Sequence, residues 1–185
     1  MSDHHEGKGR ASENAPLPSS SPAPSPVPVH LRPAREADIP TLLPLLLRLK
    51  RLNEEFDPLL KVREDAEDQA RLILKADIGS PKAIVLAVEG VGADRGKVVG
   101  MVRAHLRERA FYSPQHEGVI LDIYLLPLYR RKGVGEYVLG EVANQLKAKG
   151  AGLVTAEFPA QNEIAGRFYT KRGFRPITAV QARSL

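Results

Sequence analysis

The stretch from Gly118 to Lys149 limits the folds open to this chain more than any other. Gly118 to Leu125 is an apolar run broken mainly by Asp122, and it reads as a central strand. From Gly133 to Lys149, Val134, Val138, Val142 and Leu146 recur at intervals of four. Leu139 and Ala143 widen that face and Gly150 supplies the stop, so this segment is an amphipathic helix. The two are joined by Leu126-Pro127-Leu128-Tyr129-Arg130-Arg131-Lys132-Gly133-Val134-Gly135. A buried strand that passes through a glycine turn into an apolar-faced helix is a layered α/β unit.

The turn also carries chemistry. Gly133 and Gly135 allow the backbone to turn tightly with no Cβ in the way. The first amides of a helix have no internal acceptors and point outward. Together with the helix dipole they form a pocket for phosphate oxygens. With Arg130, Arg131 and Lys132 alongside, a pyrophosphate is the natural guest. No Gly-Lys-Ser/Thr follows, so this is not a Walker loop, and Val138 stands where a dinucleotide turn has its third glycine. On spacing alone, a tight turn with a solvated charge cluster is the alternative.

The rest of the chain completes the pattern. Residues 1–27 form a Pro/Ser-rich stretch too poor in apolar surface to offset its ordering entropy, and they are expected to be a disordered tail before a domain at 28–185. Val29 to Pro33 alternates like a short strand. Asp38 is placed to cap a helix carrying Leu42, Leu43, Leu45, Leu46 and Leu49, in which Pro44 either bends the helix or delays its start. A second helix is expected from about Glu64 to Lys75. Strands are expected at Ala83 to Val88 and Val98 to His105, joined by a hairpin loop from Gly90 to Gly96. After the long helix come a strand from Leu153 to Phe158, a helix from Asn162 to Lys171 and a last strand from Phe174 to Thr178. The order β-α-α-β-β-β-α-β-α-β implies an α/β fold with a central sheet of mixed direction.

Composition narrows the mechanisms. The chain has no cysteine, which removes disulfides, thiolate metal sites and cysteine nucleophiles. No apolar run approaches the ~20 residues that span a bilayer, and the N-terminus lacks a signal-type apolar stretch, so a cytoplasmic protein with no membrane partner is expected. The formal net charge of +5 favours anionic partners. A nucleic-acid partner is not expected, because the basic residues are not interleaved with aromatics.

Arg130-Arg131-Lys132-Gly133-Val134-Gly135 resembles the Arg/Gln-x-x-Gly-x-Gly/Ala signature of the GNAT acetyltransferase superfamily, which follows that family's fourth strand. Asn162-Glu163-Ile164-Ala165-Gly166-Arg167-Phe168-Tyr169-Thr170-Lys171-Arg172-Gly173-Phe174 resembles its second signature, Asn-x-x-Ala-x-x-Phe-Tyr-x-x-x-Gly-Phe. Leu31-Arg32-Pro33-Ala34 with Asp38 resembles its opening strand and helix start, so the resemblance runs from about Val29 to Thr178.

The resemblance implies the GNAT fold, a mostly antiparallel sheet with helices on both faces. It implies acetyl-CoA as cosubstrate, held in a splay between the fourth and fifth strands, with no metal. Ile123, Tyr124 and Leu125 would line the pantetheine arm. Arg130, Arg131, Lys132, Gly133, Val134, Gly135 and Glu136 would hold the pyrophosphate, and Asn162 would hydrogen-bond the cofactor. Tyr169 would protonate the departing thiolate. Asp122 is the candidate base, with a paired structural aspartate as the alternative. Glu54 and Glu55 would face a cationic acceptor, and His116 and Glu117 stand before the fourth strand. The stretch is similar to polyamine acetyltransferases, but Leu121 stands where they carry a glutamate. The expected reaction is acetyl transfer to a small amine, with a protein amine substrate or a CoA-binding module without turnover as alternatives. The resemblance also makes a homodimer an expectation.

Overall fold

The computed structural model describes residues 28–130 and 133–185. The expected tail, and the roles expected of Arg131 and Lys132, lie outside the described residues. One five-stranded sheet organises the chain, in the order β1 (Val29–Pro33), β2 (Ala83–Gly90), β3 (Val98–Glu108), β4 (His116–Leu125) and β5 (Leu153–Ala156). The first three pairings are antiparallel and β4–β5 is parallel, the mixed sheet that the element order implied.

Alternation along β2 shows how the sheet divides its two faces. Ile84, Leu86 and Val88 point into one core, and Val85 and Ala87 into the other. The first core is closed by α3 (Val134–Ala148), whose Val134, Val138, Val142 and Leu146 are almost wholly buried, and by Tyr169 of α4 (Glu163–Thr170). Burial of that depth stabilises by about 1.5–3 kcal/mol per side chain. The second core lies under α1 (Ile39–Glu54) and α2 (Ala66–Ile78), through Leu42, Leu43, Leu46, Ala70 and Leu74.

Pro44 sits inside α1, so the helix begins before it, at Ile39. Asp38 stands at the N-cap position but does not cap with its side chain. Its carboxylate instead receives Arg32 of β1 through two bonds of 2.7 and 2.8 Å, and the backbone N–H of Arg35 at 2.7 Å. The Arg32 guanidinium first, and the Arg35 amide after it, hold the Asp38 carboxyl down at about 2, below its ordinary 3.8. A carboxyl depressed in the folded state adds stability that is complete above its unfolded value and is lost as pH falls through the folded one. Asp38→Asn is therefore expected to cost about 1–2 kcal/mol at neutral pH, since charge-assisted bonds are lost. It should also flatten the acid limb of stability between about pH 4 and 2. Urea unfolding of both proteins at pH 7 and pH 3 reads this, and parallel losses would contradict it.

Two expectations about strands are corrected. No strand forms at Phe174–Thr178: residues 174–185 carry no regular structure. The Phe174 amide turns back to the Tyr169 carbonyl instead, and Pro176 has no N–H to give to a ladder. The strand expected at Leu153–Phe158 ends at Ala156, which bears directly on the site.

Candidate functional site

The ladder between β4 and β5 stops early. Pairing runs from Glu117 with Leu153 to Ile120 with Ala156, and the Glu157 amide bonds the Ile120 carbonyl as the last link. Beyond it β4 continues through Leu121 to Leu125 with β5 gone, so one edge of a central strand is opened. A bulge marks the point of departure. Against β3, Arg103 pairs with Asp122 and Ala104 with Ile120, leaving Leu121 as the extra residue. Among the described residues, the open edge of β4 presents backbone groups with no ladder partner, which an extended ligand with amide groups would match.

The opened strand leads to the glycine turn. Gly133, at the N-cap of α3, has φ of +74°, a conformation that costs an L side chain about 1–2 kcal/mol. The first intrahelical bond there runs from the Tyr137 amide to the Gly133 carbonyl. The amides of Val134, Gly135 and Glu136 precede it and, among the described residues, have no acceptor, which is the arrangement that suits an anion. A Cβ on Gly135 would lie 3.0 Å from the ring of Phe168, so the missing side chain lets α3 approach α4. The Glu136 carboxylate is engaged by Arg172 at 3.3 Å, which ties the turn after α4 to α3. Arg130 donates from Nε to the Leu125 carbonyl at 2.9 Å and lies over the Tyr124 ring. Its side chain thus braces the end of β4, and it occupies one of the backbone groups expected to serve the ligand. On the far side, the Tyr129 hydroxyl donates to Asp94 in the β2–β3 turn and anchors the segment leading into the glycine turn.

Asn162 caps α4 by accepting the Ala165 amide at 3.0 Å through Oδ1, and its Nδ2 remains to donate elsewhere. Seven residues on, Tyr169 is enclosed by three phenylalanines. Phe158 stacks on it at 5.3 Å, and Phe168 and Phe174 meet it edge-on or tilted, each at 5.1 Å. Burial first, and the charge of Asp122 second, push the Tyr169 hydroxyl up to about 12, so it stays protonated across the neutral range.

Asp122 is placed beside the opening. Lys50 of α1 bonds its Oδ1 at 2.5 Å and Arg103 of β3 bonds its Oδ2 at 2.8 Å. Arg103 continues to Asp77 of α2 at 2.9 Å, and His105 Nε2 lies 2.9 Å from the other Asp77 oxygen. Asp122 is thus paired, as the alternative reading had it, and also borders the splay. Lys50, Arg103 and Asp77 were not singled out in the sequence, although Arg103 ends the apolar run from Val98 to Val102 as Asp122 interrupts that of the next strand. Those two breaks in adjacent strands were the available signal.

The structure does not gather the expected acidic acceptor site. The Glu54 carboxylate accepts the Val62 amide and so braces the α1–α2 connection, while Glu55 is exposed beyond the helix end. Glu117 lies at the closed end of β4 near Arg107 and Thr155, away from the opened edge, and His116 begins that strand.

A sequence profile of the acetyltransferase (GNAT) family matches residues 48–174, more than half of the chain. The chain belongs to the GNAT acetyltransferase family. A search of curated proteins returned no match. Several solved structures share the fold of this GNAT protein. A transcriptional regulator from Bacillus halodurans C-125 is 18% identical, with 85% of this chain and 99% of that one covered and a TM-score of 0.65. Aminoglycoside N-acetyltransferase AAC(6')-Iy in complex with CoA is 14% identical, with 88% and 98% covered and a TM-score of 0.66. A predicted acetyltransferase with acetyl-CoA from Clostridium acetobutylicum is 14% identical, with 84% and 96% covered and a TM-score of 0.65. At these identities the likeness speaks for the fold. Among the described residues, no helix of the GNAT domain is long and apolar enough to cross a membrane.

Proposed function

We propose that this GNAT protein is an acetyl-CoA-dependent N-acetyltransferase that transfers the acetyl group directly to a primary amine. The observation that carries this reading is the opened edge of β4 running into the helix-start amides of the glycine turn, with Tyr169 stacked on Phe158, two residues past the end of β5. Relatives of the same fold bind CoA and acetyl-CoA. The geometry fits such a ligand: an extended edge for the pantetheine amides, and a helix N-terminus for the pyrophosphate.

The thioester supplies an acyl group already activated for attack. The chain's own residues then have six tasks. The amides of Val134, Gly135 and Glu136 hold the phosphates, which fixes the depth of insertion. Backbone groups of Ile123 and the Leu125 amide align the extended arm. Asp122 receives the proton of the incoming amine, directly or through water, since an alkyl ammonium of pKa about 10 cannot attack while protonated. Tyr169 donates its proton to the thiolate as it leaves. A backbone N–H of the opened strand stabilises the carbonyl oxygen as charge builds on it. The Asn162 Nδ2 donates to the cofactor from the start of α4.

The direct test is to incubate the full chain with acetyl-CoA and a panel of primary amines, following free thiol and N-acetylated product by mass spectrometry. Matched amounts of thiol and amide support the reading. Thiol release with no acetylated amine across the panel would oppose it.

A further inference from the structure

The proposed function leaves open which amines are accepted, and the α1-facing side of β4 bears on that, given that reading. Asp122 and Tyr124 are two residues apart and share that face. The Asp122 side chain is 1% exposed, whereas 39% of the Lys50 side chain paired with it is open to solvent. Tyr124 is 2% exposed, and its hydroxyl is buried with no hydrogen-bond partner among the described residues. A buried hydroxyl gains about 1–3 kcal/mol when a partner reaches it, so this one is able to bond a group that enters beside Asp122. Both residues lie on the part of β4 that β5 has left.

We propose that Lys50 stands in for the acceptor: the acceptor is a cationic primary amine whose ammonium displaces Lys50 from Asp122 and takes the Tyr124 hydroxyl as a second partner. Lys50 thereby sets how tightly such amines bind. The exchange is physically cheap, because one ammonium replaces another and the buried carboxylate is never left unpaired. Arg103, with a side chain only 12% exposed, holds the other oxygen throughout. The lysine stem is long and flexible, so its charged end can swing into water. A neutral or anionic acceptor has nothing to exchange and gains nothing from the seat. The acids at the end of α1 do not offer a rival seat, since Glu54 is bonded to the Val62 amide and Asp57 to that of Leu59.

The test is a calorimetric titration of diaminobutane into the full chain saturated with CoA, for wild type, Lys50→Met and Lys50→Arg. A site occluded by its own side chain binds more weakly in proportion to that occlusion. Lys50→Met is therefore expected to bind the diamine about tenfold more tightly than wild type. Lys50→Arg, which grips a carboxylate through two bonds, is expected to bind it more weakly. If folded Lys50→Met binds no more tightly, or Lys50→Arg binds as tightly as wild type, the inference is overturned while the transferase reading stands. If folded wild type takes up no CoA when CoA is titrated in first, both are overturned.

Discussion

Tyr169→Phe is expected to lower kcat for acetyl transfer by about 100-fold or more, with the affinity for acetyl-CoA unchanged, since a positioned acid contributes roughly 10²–10⁴ in rate. The ring's contacts with Phe158, Phe168 and Phe174 survive the change, and only the proton donor is removed. The loss therefore falls on kcat and on kcat/KM alike, the pattern of an interaction made only in the transition state. The hydroxyl is held at about 12, chiefly by burial, so its loss of the proton should not produce an alkaline limb in the wild-type rate below about pH 10. Stability gives an independent check on the same group. A hydroxyl raised in the folded state favours folding below its ordinary 10.0, and that contribution is lost as pH rises toward 12. Wild type should thus lose more stability than Tyr169→Phe between those values, which thermal unfolding at alkaline pH would read. A variant with normal kcat would remove Tyr169 from the mechanism.

The second large effect is expected at the glycine turn. Gly133→Glu should weaken acetyl-CoA binding by about 100-fold or more while the protein stays folded. A Cβ at this position meets nothing within 4 Å, so the substitution makes no clash. Its cost to folding is the positive φ of +74°, about 1–2 kcal/mol. Its cost to binding is larger, because a carboxylate is added beside the amides that are to receive phosphate oxygens. Two like charges about 4 Å apart repel by roughly 4 kcal/mol at the effective dielectric of a protein surface. Circular dichroism establishes that the variant is folded and calorimetry gives its affinity. Undiminished binding would place the pyrophosphate elsewhere.

Much of this architecture was legible in the sequence because local patterns and tertiary burial agree. The period of four in Val134, Val138, Val142 and Leu146 is the buried face of α3, and the apolar run through Val119 and Ile120 is the central strand. Phe174–Thr178 misled because Phe174, Ile177 and Thr178 are strand formers, yet Arg175 breaks the pattern and Pro176 has no N–H for a ladder. Phe174 serves the aromatic enclosure of Tyr169 instead. At the site, the turn was readable since glycine spacing reports a backbone requirement. The bulge at Leu121 and the early end of β5 were not, because where a ladder stops is decided between strands rather than within one. Glu54 shows the same limit: an acidic cluster at a helix end reads as a surface charge until the Val62 amide is seen to take it.

The most direct test of the central claim is a calorimetric titration of acetyl-CoA into the folded wild-type chain. The account predicts saturable one-to-one binding with a dissociation constant in the micromolar range, about −8 kcal/mol, that weakens as salt is raised. A folded protein that takes up no acetyl-CoA at millimolar concentration would contradict it, since the opened edge of β4 and the amides of the glycine turn would then have no ligand.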